Sequence, residues 1–488
     1  MSARRIAAVA ATAVLALTGA VFTAGSGLAA DRDPAQGKGK AKAKNVILLI
    51  GDGMGETHVD AASIRYYGAD GQLAMESLPA LGSVQTYAVE RNSATPELVT
   101  DSASAATAWS SGVKTYNAAI GVDAYGAIVP TLMEQAKTAG YRTGNVSTAE
   151  ITDATPAAMF AHAALRGCQG PTYTPASCET LGGEPYLPIA QQIARNNVAD
   201  VILGGGNARF TPEDQTVMES NGYEVLGALG TTVATGAELA AVTGNDRRVI
   251  GLFNTGNLTV EVNKAKAFPT AQVQAEPSLP EMTAKAIDLL AHSADARRRG
   301  FFLQVEGAMI DKRSHANDAA QTLGEMKAFD DAVAAAYEYA QRDKNTLVIV
   351  TADHECAGFN IIGKGSFTNA EAGSPPANQS GTSSTQTPVR ASNSALDPAR
   401  STGPVNGAGA ADAANFAPAT FRTLDDPAEV VDGSLDASLW LTYLAGNHTG
   451  ADVPIFSYGP GSDRFVGEQD NTDLYDEMAA AIKLKVAP

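Results

Sequence analysis

The sequence predicts an α/β fold, a three-layer α/β/α sandwich built around a mostly parallel central sheet. Short, continuously apolar runs alternate along the chain with helical stretches. Strands that are apolar on both faces are typical of parallel sheets covered by helices on both sides. Acidic and histidine residues follow several of these runs directly. This placement is expected where ligand-binding side chains extend from the carboxyl ends of parallel strands.

The apolar runs predict strands at residues 46–50, 201–203, 249–253, 301–305, 347–350 and 453–456. The intervening patterns predict helices that include residues 131–139, 280–292, 317–341 and 472–485. Regular alternation of the two kinds of element favours strand–helix–strand crossovers within a single sheet.

The first thirty residues have the pattern of a secretory signal peptide. Arg4 and Arg5 precede an apolar run without acidic residues, which ends in small residues near Ala30. A membrane anchor is the alternative, but glycine and threonine interrupt the run. We therefore expect residues 1–30 to be removed and the protein to be secreted, either extracellular or periplasmic. The arginine pair leaves twin-arginine export open beside general secretion.

Two further segments differ from the rest of the chain. Residues 31–44 are lysine-rich and lack apolar periodicity, which predicts a flexible linker. Residues 45–488 are expected to form a single domain. Within it, residues from about 366 to 427 are rich in serine, proline and alanine, which predicts a low-complexity surface insertion.

The charge of the chain restricts its partners. With 53 acidic and 35 basic residues, the formal net charge is -18. Loss of residues 1–30 would change it to about -20. A protein this acidic repels polyanions, so we expect no nucleic-acid partner. No segment after the signal sequence is long and apolar enough to suggest a membrane partner.

Side chains that bind metals follow the predicted strands. Asp52 comes after the first strand, Glu306 after the strand at 301–305, and Asp353 with His354 after the strand at 347–350. Any one of these carboxylates could simply cap a helix. Together they indicate a site at the carboxyl edge of the sheet.

Histidines strengthen this interpretation. Asp311 and His315 are four residues apart, so on a helix both side chains would lie on one face and could bind one cation. His448 lies in a polar, glycine-flanked turn. Mixed imidazole and carboxylate ligands suit Zn²⁺, whereas oxygen-only sets suit Mg²⁺. We expect the remaining histidines to be structural; they are His58, His162 and His292.

Ser102 begins a run of small residues that reads as a loop entering a helix. At a helix N-terminus the free amides and the dipole favour an anion. The simpler alternative is that Ser102 or Asp101 caps this helix. A serine hydroxyl needs activation to act as a nucleophile, and no serine-hydrolase arrangement of histidine and aspartate is evident. A metal is then the natural activator.

The motifs together resemble a known family. The runs NVILLIGDGMG, TDSASAATAWSSGVKTYNAAIGVD, GNVSTAEITDATPAA, FFLQVEGAMIDKRSHA, TLVIVTADHE and NHTG resemble, in order, those of the secreted bacterial alkaline phosphatases. The resemblance extends from residue 45 to the C-terminus, apart from the insertion. It implies an enzyme that hydrolyses small-molecule phosphate monoesters through a phosphoserine, with two zinc ions and one magnesium ion. It leaves a homodimer open.

The resemblance also implies roles for individual residues. Ser102 matches the nucleophile, and Arg166 matches the arginine that binds phosphate. Asp101 matches the residue that orients this arginine, and Lys312 one that reaches phosphate through water. The implied ligands are Asp311, His315 and His448 for the first zinc; Asp52, Asp353 and His354 for the second; and Asp153, Thr155 and Glu306, with Asp52, for magnesium.

Cysteines and one serine need separate comment. Cys168 and Cys178 can close a short loop in an oxidising compartment, and they match a disulfide of the family. Cys356 stands where the family has a histidine that supports the zinc ligands. Cys356 could contact zinc, but in the preferred interpretation it contacts the zinc ligands without binding the metal. Ser314 replaces an acidic residue of the family.

The competing functions are of two kinds. The first is another enzyme of the same superfamily, a phosphodiesterase, a sulfatase or a phosphopentomutase. The second is a metal-binding protein without turnover.

Overall fold

A ten-stranded β-sheet forms the centre of the protein in a computed structural model that describes residues 42–172, 176–244, 246–264, 275–364, 419–434 and 436–485. In chain order the strands are β1 Asn45–Gly51, β2 Ala80–Gln85, β3 Arg142–Glu150, β4 Val201–Gly205, β5 Tyr223–Leu226, β6 Arg248–Leu252, β7 Phe301–Gly307, β8 Thr346–Thr351, β9 Val453–Tyr458 and β10 Gly467–Asp470.

Across the sheet the strand order is β10-β2-β9-β8-β1-β7-β3-β4-β6-β5. Neighbouring strands are parallel throughout, except that β9 runs antiparallel to both β8 and β2. Every residue of β1, β7 and β8 is buried, which explains their continuous apolar sequences. The predicted α/β class with a mostly parallel sheet is confirmed.

Helices flank the sheet. In chain order they are α1 Glu56–Tyr67, α2 Ser102–Ser111, α3 Leu132–Thr138, α4 Ala154–Ala157, α5 Ile189–Asn196, α6 Pro212–Ser220, α7 Gly236–Ala241, α8 Glu261–Lys264, α9 Leu279–Ala291, α10 Ala294–Arg298, α11 Met309–His315, α12 Ala319–Asp343 and α13 Asp473–Ile482. Helix α12 packs against α9, α1 and α11, while α13 packs against α2. Each helix predicted from the sequence is present, with ends that differ by a few residues.

The described residues also form four small antiparallel sheets. Two of them are single pairs, Ala88–Val89 with Pro96–Glu97 and Thr180–Leu181 with Glu184–Pro185. Asn360–Ile362 and Ala419–Phe421 flank Leu439–Thr442, and Glu355–Cys356 pairs with His448–Thr449. The boundary of the insertion at 366–427 therefore needs correction, because its last part forms a buried strand. The sequence did not show this, since the strand is only three residues long.

The linker boundary also needs correction. Ala43 is fully buried and its amide donates to the carbonyl of Ala481, while the Lys44 amide donates to the carbonyl of Asn345. Residues 43 and 44 therefore belong to the folded part, contrary to the prediction of a linker through residue 44. The predicted signal peptide, most of the linker and most of the insertion lie outside the described residues. Within the described ranges, no helix has the length and apolar character to cross a membrane.

Candidate active site

Helix α2 fixes the position of Ser102. All ten of its residues are buried, and their small side chains let the helix lie inside the protein. Asp101 is the N-cap, since its carboxylate accepts from the Ser104 amide at 3.0 Å. Ser102 is the first helical residue, only 2 % exposed, with Oγ 3.3 Å from Nε2 of His354. The capping role considered for this segment thus belongs to Asp101, and Ser102 faces the histidine.

Asn117 is a residue of this site that the sequence did not reveal. Its Oδ1 accepts from the Asp101 amide at 2.9 Å and from Ser104 Oγ at 2.8 Å. The next residue, Ala118, donates its amide to the Asp101 carboxylate at 3.0 Å. These contacts hold the turn that carries Ser102. A single asparagine in a loop gives no sequence signal for such a role.

Arg166 lies between two carboxylates. Its guanidinium donates to Asp101 at 3.1 Å and to Asp153 at 2.9 Å, and its side chain is 31 % exposed. Lys312 donates to the other oxygen of Asp153 at 2.8 Å. Burial would raise the pKa of Asp153, but Lys312 and Arg166 outweigh it and hold that pKa well below its usual range. The three residues form a fixed charged frame at the site.

The first cluster of candidate metal-binding side chains joins α11 to the short strand His448–Thr449. His315 Nε2 lies 3.3 Å from Asp311, and His448 Nε2 lies 3.5 Å from Asp311 and 3.0 Å from His315 Nε2. The Nδ1 atoms of the two histidines bond to the backbone carbonyls of Gly446 and Thr100, both at 2.9 Å. Such bonds leave Nε2 free to face a cation, as is usual for metal ligands. The residues assigned to the first zinc are therefore brought together.

The second cluster follows β1 and β8. Asp353 Oδ1 accepts from the amides of Gly53 and His354, both at 2.9 Å, and Asp353 Oδ2 lies 3.0 Å from His354 Nε2. The same nitrogen lies 3.8 Å from Asp52 Oδ1. The imidazoles of His354 and His448 stack with centroids 3.5 Å apart, so the two clusters adjoin. Ligand atoms of Asp311, Asp52 and His354 also all lie within 4.8 Å of one another.

Several buried polar atoms at the clusters make no hydrogen bond within the described residues. They are Asp52 Oδ1, Asp311 Oδ1, Asp353 Oδ2, His354 Nδ1 and Thr155 Oγ1. Burial and the neighbouring carboxylates of Asp353, Asp311 and Glu306 raise the pKa of Asp52 well above its usual value. Buried carboxylate oxygens that lack a hydrogen bond are costly, and bound cations would satisfy them. The donor sets thus fit the metals that the resemblance implies.

The residues assigned to magnesium come from separate segments, and within the described residues Asp153 and Glu306 belong to neither group whose ligand atoms all lie within 4.8 Å of one another. Glu306, in β7, accepts a short hydrogen bond from Ser147 in β3, and burial raises its pKa to about 7. Asp153 and Thr155 lie at the start of α4. Asp153 also pairs with Arg166 and Lys312, so it connects the carboxylates assigned to magnesium to these two cations. Ser147, like Asn117, was not identified from the sequence.

A disulfide and a buried histidine contact the segments that carry the site residues. Cys168, two residues beyond Arg166, forms the predicted disulfide with Cys178, and their Cα atoms are 5.3 Å apart. His58, expected to be structural, is buried and bonds to Ser314 Oγ on α11 at 3.1 Å. Burial lowers the pKa of His58 to about 3, so this histidine stays neutral beneath the first cluster.

A buried serine at a helix N-terminus, next to an aspartate that holds an arginine and adjoining histidine–carboxylate clusters, defines a metal-dependent hydrolase of phosphate esters. The sequence profile described as alkaline phosphatase matches residues 43–484. The chain belongs to the alkaline phosphatase family and is a phosphoric monoester hydrolase.

Individual relatives support this family assignment. The chain is 36 % identical to the alkaline phosphatase of Escherichia coli over 91 % of its own length and 87 % of the relative. It is 36 % identical to the streptomycin-6-phosphate phosphatase of Streptomyces griseus over 92 % of each chain. Among solved structures, the alkaline phosphatase of the Antarctic bacterium TAB5 covers 91 % of this chain and 100 % of its own, with TM-score 0.63 and 26 % identity. A variant of that enzyme is described with Mg bound in the M3 site.

Proposed function

We propose that the protein hydrolyses phosphate monoesters through a covalent phosphoserine on Ser102, with two zinc ions and one magnesium ion. One observation carries this proposal: Ser102 Oγ lies at the N-terminus of α2, 3.3 Å from His354, at the edge of the metal-binding clusters. A helix N-terminus stabilises the negative charge that a reacting serine and a phosphate both carry.

The chemistry then has two steps. Ser102 Oγ attacks phosphorus, the ester P–O bond breaks, and the alcohol leaves with a proton. Water next attacks the phosphoserine, which releases inorganic phosphate and returns the Ser102 hydroxyl. Arg166 binds two phosphate oxygens through its planar guanidinium, a contact that a lysine cannot reproduce. Asp101 and Asp153 hold Arg166 in place during both steps.

Metal binding follows from the donor sets. Asp311, His315 and His448 would hold the first zinc; Asp52, Asp353 and His354 the second; and Asp153, Thr155 and Glu306, sharing Asp52, the magnesium. When bound, two adjacent zinc ions supply Lewis acidity to both the attacking and the leaving oxygen. Lys312, paired with Asp153, adds positive charge on the phosphate side of the site.

The test compares substrates and variants. Purified protein should hydrolyse p-nitrophenyl phosphate at alkaline pH far faster than bis-p-nitrophenyl phosphate or p-nitrophenyl sulfate. EDTA should abolish this activity, and Zn²⁺ with Mg²⁺ should restore it. Ser102→Ala should lower kcat by at least about a thousandfold, since it removes the nucleophile. A better rate on the diester, or full activity of Ser102→Ala, would overturn the proposal.

Ser110→Ala provides the matched control. Ser110 lies on the same helix, is fully buried, and donates only to the carbonyl of Thr107 among the hydrogen bonds described. Its replacement should leave kcat within a few-fold of the original protein.

We further propose export, with residues 1–30 removed, because Arg4 and Arg5 precede an uncharged apolar run. N-terminal sequencing of the protein from the culture medium or periplasm should begin near residue 31. Retention of Met1 in the mature protein would contradict this proposal.

A further inference from the structure

We propose that Cys356 is a fourth protein ligand of the first zinc site, so that this site contains a thiolate. The proposal rests on the proposed function, because it takes Asp311, His315 and His448 to bind zinc. It replaces the expectation that Cys356 lies behind the ligands.

Strand pairing brings the cysteine to the site. In the ribbon formed by Glu355–Cys356 and His448–Thr449, Cys356 lies directly opposite His448. Side chains at directly opposed positions of antiparallel strands project from the same face. Ligand atoms of Asp311, His315, Cys356 and His448 accordingly all lie within 4.8 Å of one another.

The spacing of the other donors is close to that of a tetrahedral zinc site. The two histidine Nε2 atoms lie 3.0 Å apart, His315 Nε2 lies 3.3 Å from Asp311 Oδ2, and His448 Nε2 lies 3.5 Å from Asp311 Oδ1. Ligands about 2.0–2.1 Å from zinc in a tetrahedron lie roughly 3.3 Å apart. Two donors come from successive turns of α11 and the third from the ribbon. The thiol of Cys356 supplies a fourth donor, also from the ribbon.

The surroundings of the thiol support this geometry. Asp311 Oδ1 is buried, and in the described part of the chain it has no hydrogen-bond partner. Cys356 is fully buried, with Sγ 3.7 Å from the carbonyl of Asp311. Gly53 has φ +74°, and a Cβ there would approach Cys356 Cβ to 2.8 Å. A glycine at this position therefore leaves space for the cysteine beside Asp311.

A thiolate changes the character of the site. When zinc binds, the thiol proton leaves to solvent and the sulfur becomes a soft anionic ligand. The site should then prefer Zn²⁺, Cd²⁺ and Co²⁺ to Mg²⁺, and it should bind zinc more tightly than the same site without the thiolate. Catalytic zinc sites usually have three protein ligands and one open position. With Cys356 as a fourth protein ligand, the site would have to accept a substrate oxygen in addition to four protein donors.

Cobalt spectroscopy tests the proposal without reference to activity. Metal-free full-length protein is titrated with Co²⁺, and absorption is recorded. We expect visible d–d bands together with an intense near-ultraviolet sulfur-to-cobalt charge-transfer band. The other two cysteines form a disulfide, so such a band reports Cys356 alone.

The possible results distinguish failure of this proposal from failure of the proposed function. Strong d–d bands without the charge-transfer band would overturn the role of Cys356 and leave the metal site intact. Absence of d–d bands would overturn the metal assignment itself, and this proposal with it. The spectrum of the unsubstituted protein decides between these results without any variant.

Variants provide a second measurement. Cys356→Ser should lose the charge-transfer band, which is the result that identifies a ligand. It should also weaken zinc binding, measured by chelator competition, by about tenfold or more, at least as much as the loss of a residue that only supports a ligand. Thr449→Ser, in the same ribbon, is the control, because it keeps the hydroxyl that bonds to Glu355. It should retain the band and the affinity. Unchanged zinc affinity in a folded Cys356→Ser protein would count against the proposal.

Discussion

Arg166 is held by two carboxylates rather than by one, and this arrangement fixes the plane of its guanidinium. Arg166→Lys should lower kcat/KM for p-nitrophenyl phosphate by about 10- to 100-fold, because charge-assisted hydrogen bonds contribute about 1.5–3 kcal/mol each. Steady-state kinetics measure the change. Arg298→Lys, at an exposed ion pair with Asp295 on α10, is the control and should have little effect.

A different cluster of charges stabilises the opposite end of the sheet. Asp200 is fully buried between Lys137, Arg142 and Arg248, at 2.5, 3.1 and 3.3 Å. Asp200→Asn leaves these cations without their partner, so the free energy of unfolding should fall by about 3–5 kcal/mol. Urea denaturation measures the loss.

Glu338→Gln is the comparison for Asp200→Asn. Glu338 forms an exposed i,i+4 pair with Arg342 at 3.7 Å. Exposed pairs contribute little, so its loss should change the free energy of unfolding by less than about 1 kcal/mol. Equal effects of the two substitutions would contradict the assigned role of Asp200.

At the scale of elements, the docking of α8 on α12 depends on a buried carboxyl group. Glu325 accepts from the Glu261 amide at 2.6 Å, and burial, with the charge of Glu261, raises its pKa to about 8. The folded protein therefore keeps a proton on Glu325 that the unfolded chain loses above its ordinary pKa of 4.5. The contribution of Glu325 to stability is fully present below that pKa and is lost as the pH rises towards 8.

Glu325→Gln should remove this dependence. Between pH 5 and pH 9, the free energy of unfolding should fall less in the variant than in the unsubstituted protein, because glutamine does not titrate. Chemical denaturation at a series of pH values gives both curves. Parallel curves would show that Glu325 is already ionised in the folded protein at pH 5.

The sequence predicted some elements well and others not at all. Strands β1, β7 and β8 were recognisable because they are apolar on both faces. Strand β3 is buried but contains polar residues, which are satisfied by contacts such as Asn145 Nδ2 to the carbonyl of Pro156 at 2.8 Å. Such distant partners are not visible in a local pattern, so β3 was missed.

The same distinction applies to the site. Asp52, Glu306 and Asp353 could be predicted as site residues because parallel strands end at one edge of the sheet. Asn117 and Ser147 act through hydrogen bonds to Asp101 and Glu306, and nothing in their neighbours along the chain indicates this. Residues that support a site depend on packing between distant segments, whereas the candidate ligands could be predicted from the topology of the sheet.

For the whole molecule, bound metals should contribute to stability as well as to catalysis. The clusters bury several carboxylate oxygens that lack hydrogen bonds within the described residues. An ion that binds only the folded state stabilises it by about 4 kcal/mol at a thousand times its Kd. EDTA should therefore lower the Tm measured by calorimetry by several degrees, and Zn²⁺ with Mg²⁺ should restore it. An unchanged Tm in a protein shown to be metal-free would contradict this account.

The central claim concerns a covalent phosphate on Ser102, and trapping it is the most direct test. Protein mixed with a phosphate monoester is quenched in acid during turnover, digested, and mapped by mass spectrometry. The account predicts phosphate on the peptide that contains Ser102, on the serine itself, and none in Ser102→Ala. Phosphate on any other residue, or turnover by Ser102→Ala at the original rate, would contradict it.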